Sequence, residues 1–188
     1  MPLITTFAGD SARGFGLFKA NGAASSFESI ATVTASGSQS TITFSSIPST
    51  YKSLQIRVLA TDASASITDI TFNGDTGSNY AWHRLYGNGT SAVAQGTGTT
   101  TRINNSLIAS GVANCYAVGI YDIVDYANTS KYKTTRSFWG NDSNGSATGY
   151  VTLISGLWQS TAAVSSITFT CGANYTAGST FALYGIKG

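Results

Sequence analysis

Apolar and polar side chains alternate along much of this chain, giving the two-residue period of a pleated strand. The pattern is clearest between positions 67 and 86. There Ile70 and Phe72 alternate with Thr71, and Trp82, Arg84 and Tyr86 alternate with His83 and Leu85. The intervening stretch, residues 73–79 (NGDTGSN), supplies side chains that tolerate positive φ or hydrogen-bond to their own backbone. Strand, tight turn, strand is the expectation. Alternation over residues 27–33, 41–44 and 54–60 predicts strands upstream, with a turn at Pro48 and with Leu54, Ile56 and Val58 on one face. Residues 90–101, rich in Gly, Ser and Thr, read as an exposed loop or a weak edge strand. Ile103, Leu107 and Ile108 mark a strand interrupted by Asn104 and Asn105. A strand follows over 115–124, with Tyr116, Val118 and Ile120 on one face and Tyr121 and Ile123 out of phase. Residues 132–139, 150–154, 157–158, 164–169 and 181–186 predict the remaining strands, and 140–145 a strong turn.

About ten short strands at 8–12-residue spacing, with no window of 3.6-residue period, make the chain all-β. Gly- and Asn-bearing turns favour an antiparallel β-sandwich, jelly-roll-like, over a βαβ fold. At 188 residues one domain suffices, and no boundary shows after residue 27. Residues 1–26 differ. Gly9, Gly14, Gly16 and Gly22 break regular structure, yet Leu3, Ile4, Phe7, Phe15, Leu17 and Phe18 are too apolar for a solvated tail. An irregular extended N-terminal arm is expected ahead of domain 27–188. It would fold onto a partner or a neighbouring subunit, the alternative being packing on its own domain.

Composition sharpens this. Charged residues make up 10% of the chain, against roughly 25% in an ordinary soluble protein. With a net charge of +2, charge repulsion does little to keep copies apart, so a permanent oligomer is expected. The basic residues are scattered, with a loose group at 131–136, which argues against nucleic acid as a partner. Cys115 and Cys171 either pair or remain buried thiols, and their apolar surroundings favour thiols. No signal-peptide pattern and no apolar run near 18 residues is present, so a soluble chain without membrane insertion is expected.

Candidate chemistry is sparse. His83 is the single histidine and Glu28 the single glutamate. A hydrolytic triad would have to use His83 as its base, and Asp122 with Asp125 is the least ordinary carboxylate pair. The expectation is a protein that is not an enzyme. No His/Cys cluster suits zinc. The turns at 73–76 and 141–144 offer oxygen ligands for calcium, but ordinary turn chemistry explains them. No glycine stretch follows a strand and opens a helix, so no phosphate loop is signalled. No cofactor is expected. Aromatic side chains remain: Trp82, Tyr126 and Trp139 are candidates for surface or glycan contact, with burial in the core as the alternative.

Several stretches together resemble a family of small tailed-bacteriophage virion proteins. They are residues 40–51 (STITFSSIPSTY), 72–80 (FNGDTGSNY), 84–89 (RLYGNG), 156–163 (GLWQSTAA) and 178–187 (GSTFALYGIK). Residues 11–16 (SARGFG) resemble segments that open some phage fibre proteins and attach them to the particle. The resemblance implies a virion component assembled in the host cytoplasm, and a homotrimer. Its arm, with Phe7, Arg13, Phe15, Leu17 and Phe18, would bind other virion proteins. Its β domain would be displayed outward, on a tail fibre or baseplate and able to meet a host-surface glycan or receptor, or on the head as capsid decoration. A free carbohydrate-binding module is a weaker alternative. The resemblance carries no catalytic residues.

Overall fold

The computed structural model describes residues 26–64, 66–107, 109–110, 114–142 and 149–188. Phe7, Arg13, Phe15, Leu17 and Phe18 lie outside the described residues. The described chain is all-β. Its strands are β1 (Phe27–Thr34), β2 (Thr41–Phe44), β3 (Ser53–Asp62), β4 (Ile67–Phe72), β5 (Tyr80–Gly87), β6 (Ala92–Thr100) and β7 (Ile103–Leu107). After them come β8 (Ala109–Ser110), β9 (Ala117–Val124), β10 (Lys133–Asn141), β11 (Tyr150–Trp158), β12 (Ile167–Cys171) and β13 (Thr180–Ile186). A large antiparallel sheet runs β1-β13-β3-β9-β10-β11-β5-β6, and a small one runs β2-β12-β4-β7. The two-residue β8 pairs parallel with the end of β3.

The inward phases of both sheets meet in one core. Leu54, Ile56 and Val58 of β3 are buried on one side, as their alternation predicts, and Ile42, Phe44, Ile70, Phe72, Ile167 and Phe169 are buried on the other. Phe169 of β12 meets Tyr121 of β9 edge-on at 6.1 Å and Phe181 of β13 at 5.4 Å. The interlocked rings fix the spacing of the sheets, and each contributes area burial plus ring-pair attraction.

The Asn73-Gly74 turn forms as its chemistry requires. Both residues have positive φ, at 52° and 68°, and Asp75 N donates to Phe72 O at 2.9 Å, the geometry of a two-residue hairpin turn. Here it ends β4 in the small sheet, and β5 continues in the large one. Asn73 also clips the loop before β12: its Oδ1 accepts from Ser165 N at 2.8 Å and Ser166 N at 3.0 Å, and its Nδ2 donates to Ala163 O at 2.8 Å. The Asp75 carboxylate accepts from Trp158 Nε1 at 2.7 Å and from Gly77 N at 2.8 Å. The Trp158 N–H, helped by Asn79 and Gly77, holds the Asp75 carboxyl below its usual range. Gly77, Asn79 and Trp158 donors thus occupy both oxygens of the Asp75 carboxylate.

Three expectations are refined. Residues 92–100 form a true edge strand, β6, paired with β5. Asn104 and Asn105 sit within β7 rather than interrupting it, because Asn104 donates to Asp69 Oδ1 at 3.0 Å beside a bulge in the β4–β7 ladder. In β9 it is Tyr121 and Ile123 that face the core with Ala117, while Val118 and Ile120 face out. Gly119 fixes that phase. A Cβ there would lie 2.5 Å from the Trp139 ring, so the indole of β10 lies flat on the bare backbone of β9. Cys115 and Cys171 are free thiols. Burial, and then the Asp62 carboxylate that accepts from Cys171 Sγ, push the Cys171 thiol up to about 11.

Gly119→Ala is expected to lower the unfolding free energy by about 1–3 kcal/mol. Gly140→Ala, where a Cβ meets nothing within 4 Å, should change it by less than about 0.5 kcal/mol. Urea unfolding of both variants checks the pair. Because the folded-state acidity of Asp75 is enhanced, its contribution is present above the unfolded pKa of about 3.9 and fades as pH falls through the lower folded value. Asp75→Asn should therefore cost about 1 kcal/mol at pH 7, discounted for its partial exposure. The gap to the parent protein should close in acid unfolding below about pH 4.

Candidate functional site

The large sheet has apolar side chains on both faces over its central strands. Strands that are apolar in both phases are normally buried on both sides. Here the small sheet covers the inner face, and the outer face stands half-exposed. Cross-strand register arranges the outer side chains in rows. One row runs Ile120, Phe138, Leu153, Leu85 and Ala94 across β9, β10, β11, β5 and β6. Beside it Leu59, Val118 and Val151 form a second row, spaced by Gly140 and Gly87. Phe138, Leu153 and Leu85 are each slightly over half exposed. Between β3 and β6 the two rows span roughly 24 Å at the usual strand spacing.

A third row is polar: Gln55, Asp122, Arg136, Ser155, His83 and Gly96. Asp122 accepts from Gln55 Nε2 at 3.0 Å and pairs with Arg136 Nε at 3.2 Å. Arg136 is 80% exposed, so solvent leaves this pair little net energy. The His83 ring lies against the backbone of β6, since a Cβ on Gly96 would come 2.4 Å from its Cδ2. The first apolar row and the polar row from Asp122 to Gly96 line a groove of about 860 Å³.

Catalytic geometry is another matter. Ser155 is the register neighbour of His83, but Asp122 stands three strands away, roughly 14 Å at the strand spacing, and is held by Arg136 and Gln55. A triad needs its acid on the imidazole. Among the described residues no group of three or more His, Cys, Asp or Glu side chains could hold a metal. The basic group at 131–136 is dispersed by its partners: Lys131 pairs with Asp125 at 3.1 Å, and Arg136 with Asp122. Lys133 is buried and donates to the carbonyls of Asn128, Lys131 and Thr161, and burial lowers its pKa.

The aromatic candidates separate. Trp139 is 1% exposed, pressed on Gly119, and Tyr126 is 1% exposed. The Tyr126 hydroxyl donates to Pro48 O and accepts from Tyr51 N at 3.3 Å. Neither presents a face to a ligand, which corrects the expectation of surface contact: Trp139 lies in the core phase of β10, and Tyr126, in the turn after β9, is buried with its hydroxyl bound to Pro48 and Tyr51. Trp82 is partly buried, and the Arg84 guanidinium lies 5.2 Å from its ring centroid and 5.4 Å from that of Tyr86. Arg84 is tied down in turn by Asn104 Oδ1 at 2.7 Å and Gln95 Oε1 at 2.9 Å. This cluster belongs to the inner phase of β5, on the opposite side of the sheet from the groove.

The outer rows escaped the reading of individual motifs. Their signal was present in the sequence: Val118 and Ile120 against Tyr121 and Ile123, Phe138 against Trp139, and Val151 and Leu153 against Ile154 are apolar in both phases. No protein-family model, curated protein or solved structure matches this chain.

Adjacent residues on opposite faces should respond differently to truncation. Phe138→Ser or Leu153→Ser is expected to leave monomer stability within about 0.5 kcal/mol, whereas Trp139→Ala should cost about 3–5 kcal/mol. Denaturant titration at nanomolar chain concentration, followed by fluorescence, separates the two.

Proposed function

We propose that this chain is a non-enzymatic structural protein of a tailed-bacteriophage particle. In this proposal it is a homotrimer, joined to other virion proteins at the tail fibre or baseplate through residues 1–26. The β domain is displayed outward and meets a host-surface glycan or receptor. The observation that carries an assembly role is the pair of half-exposed apolar rows on the outer face of the large sheet. Contiguous apolar surface of that extent marks an interaction site, and a surface with few charges does little to oppose association. The phage assignment is supported by the resemblance of residues 40–51, 72–80, 84–89, 156–163 and 178–187 to virion proteins. The separation of Asp122 from His83 and Ser155 supports a role without catalysis. The strand order supports a jelly-roll-like core, since the chain alternates between sheets through β1, β2, β3 and β4 and again through β12 and β13.

A second reading is capsid decoration. Burial of Tyr126 and Trp139 favours it, because it leaves Trp82 as the one candidate of the three with any accessible surface for a glycan.

Light scattering of the 188-residue chain should give a trimer, and Leu85→Asp with Leu153→Asp should reduce it to a folded monomer. A parent chain that is monomeric at tens of micromolar would count against the assembly role. Electron microscopy of intact particles labelled with an antibody against residues 27–188 then assigns location. Label at the tail supports the first reading and label over the head the second, while unlabelled particles overturn both.

A further inference from the structure

We infer that the groove on the outer face is the seat of residues 15–18 from the N-terminal segment of a neighbouring copy. This inference rests on the oligomeric reading above. The groove holds about 860 Å³, a space that the broad face of another sheet would not enter. A narrow apolar segment would. From β9 to β6 the groove spans four strand spacings, roughly 19 Å, the length of about five to six extended residues.

Residues 1–25 supply such a segment. Phe15 and Leu17, two positions apart, project to the same side of an extended chain, facing a floor made of Leu85, Phe138 and Leu153. Gly14 and Gly16 flank Phe15 without side chains and let the backbone approach closely. Leu3, Ile4 and Phe7 remain for contact with the particle.

Reach favours a neighbour over the same copy. The described chain begins at Ser26, whose carbonyl accepts from Lys187 N at 3.0 Å, and β1 is the edge strand farthest from β6. The middle of the groove lies four to five strands across and four residues along the sheet, about 25 Å away. The nine steps from Phe18 to Phe27 span at most about 31 Å when drawn straight. Docking in its own groove would hold that link almost taut over a curved surface, at a cost in chain entropy. A neighbouring copy set beside β1 imposes no such demand.

The test uses the full chain with Phe15→p-benzoylphenylalanine, mixed with ¹⁵N-labelled parent chain, irradiated, digested and read by mass spectrometry. Expected are cross-links from residue 15 of an unlabelled chain to ¹⁵N-labelled peptides holding Phe138 or Leu153. Leu153→Asp in the labelled chain should lower their yield at least tenfold. Cross-links confined to one copy, or to other surfaces, overturn the inference even when light scattering still shows a trimer. So does an unchanged yield with Leu153→Asp. A monomeric parent chain removes the oligomeric reading itself, and the inference with it.

Discussion

Where the chain passes from the small sheet to the large one, a carboxylate meets an indole, and much of the architecture depends on that meeting. Asp75 accepts from Trp158 Nε1 at 2.7 Å, a short bond because the acceptor is ionised. Trp158 packs 5.6 Å from Phe72 and stacks 6.5 Å from Tyr80. The Tyr80 hydroxyl accepts from Phe72 N and donates to Asp75 O, both at 3.0 Å. Burial keeps that phenol protonated, its pKa pushed up to about 12. The end of β4, the start of β5 and the end of β11 are thereby pinned to one another. Gln159 N donating to Asn79 O at 2.7 Å continues the seam.

The consequence is a large sheet wider than its cover. Pinned at Trp158, β5 runs antiparallel to β11 for its whole length and brings β6 with it. The strands β10, β11, β5 and β6 extend the large sheet past β9, and the four-stranded small sheet packs on its inner side. Leu85 and Ala94, the far end of the apolar row, are carried into place by this extension.

An apolar row that faces water is costly at roughly 25 cal/mol per Å². In the single chain that cost is unrelieved, because the inner phase has already taken the small sheet as its partner. Covering the outer phase in an assembly recovers it, and the scarcity of charge on the remaining surface removes the usual barrier to close approach. One phase of β9, β10 and β11 thus makes the domain, and the other stands exposed on its outer face.

Local chemistry was legible directly from residue order. Period-2 alternation gave the strands, and Asn73-Gly74 gave the turn, because pleating and positive φ are properties of a few neighbouring residues. The scarcity of acid–base groups was equally plain. The sequence by itself determined that this is an all-β chain with more apolar strand surface than one core needs. Which phase faces inward was decided by tertiary structure alone. In β9 the choice turned on Gly119, whose missing side chain admits Trp139 from the next strand, and it sent Val118 and Ile120 outward. The burial of Tyr126 and the pairing of Asp75 with Trp158 were likewise invisible in the residue order. They join positions 48 to 126 and 75 to 158, and contacts between residues so far apart exist only once register and sheet packing have placed them.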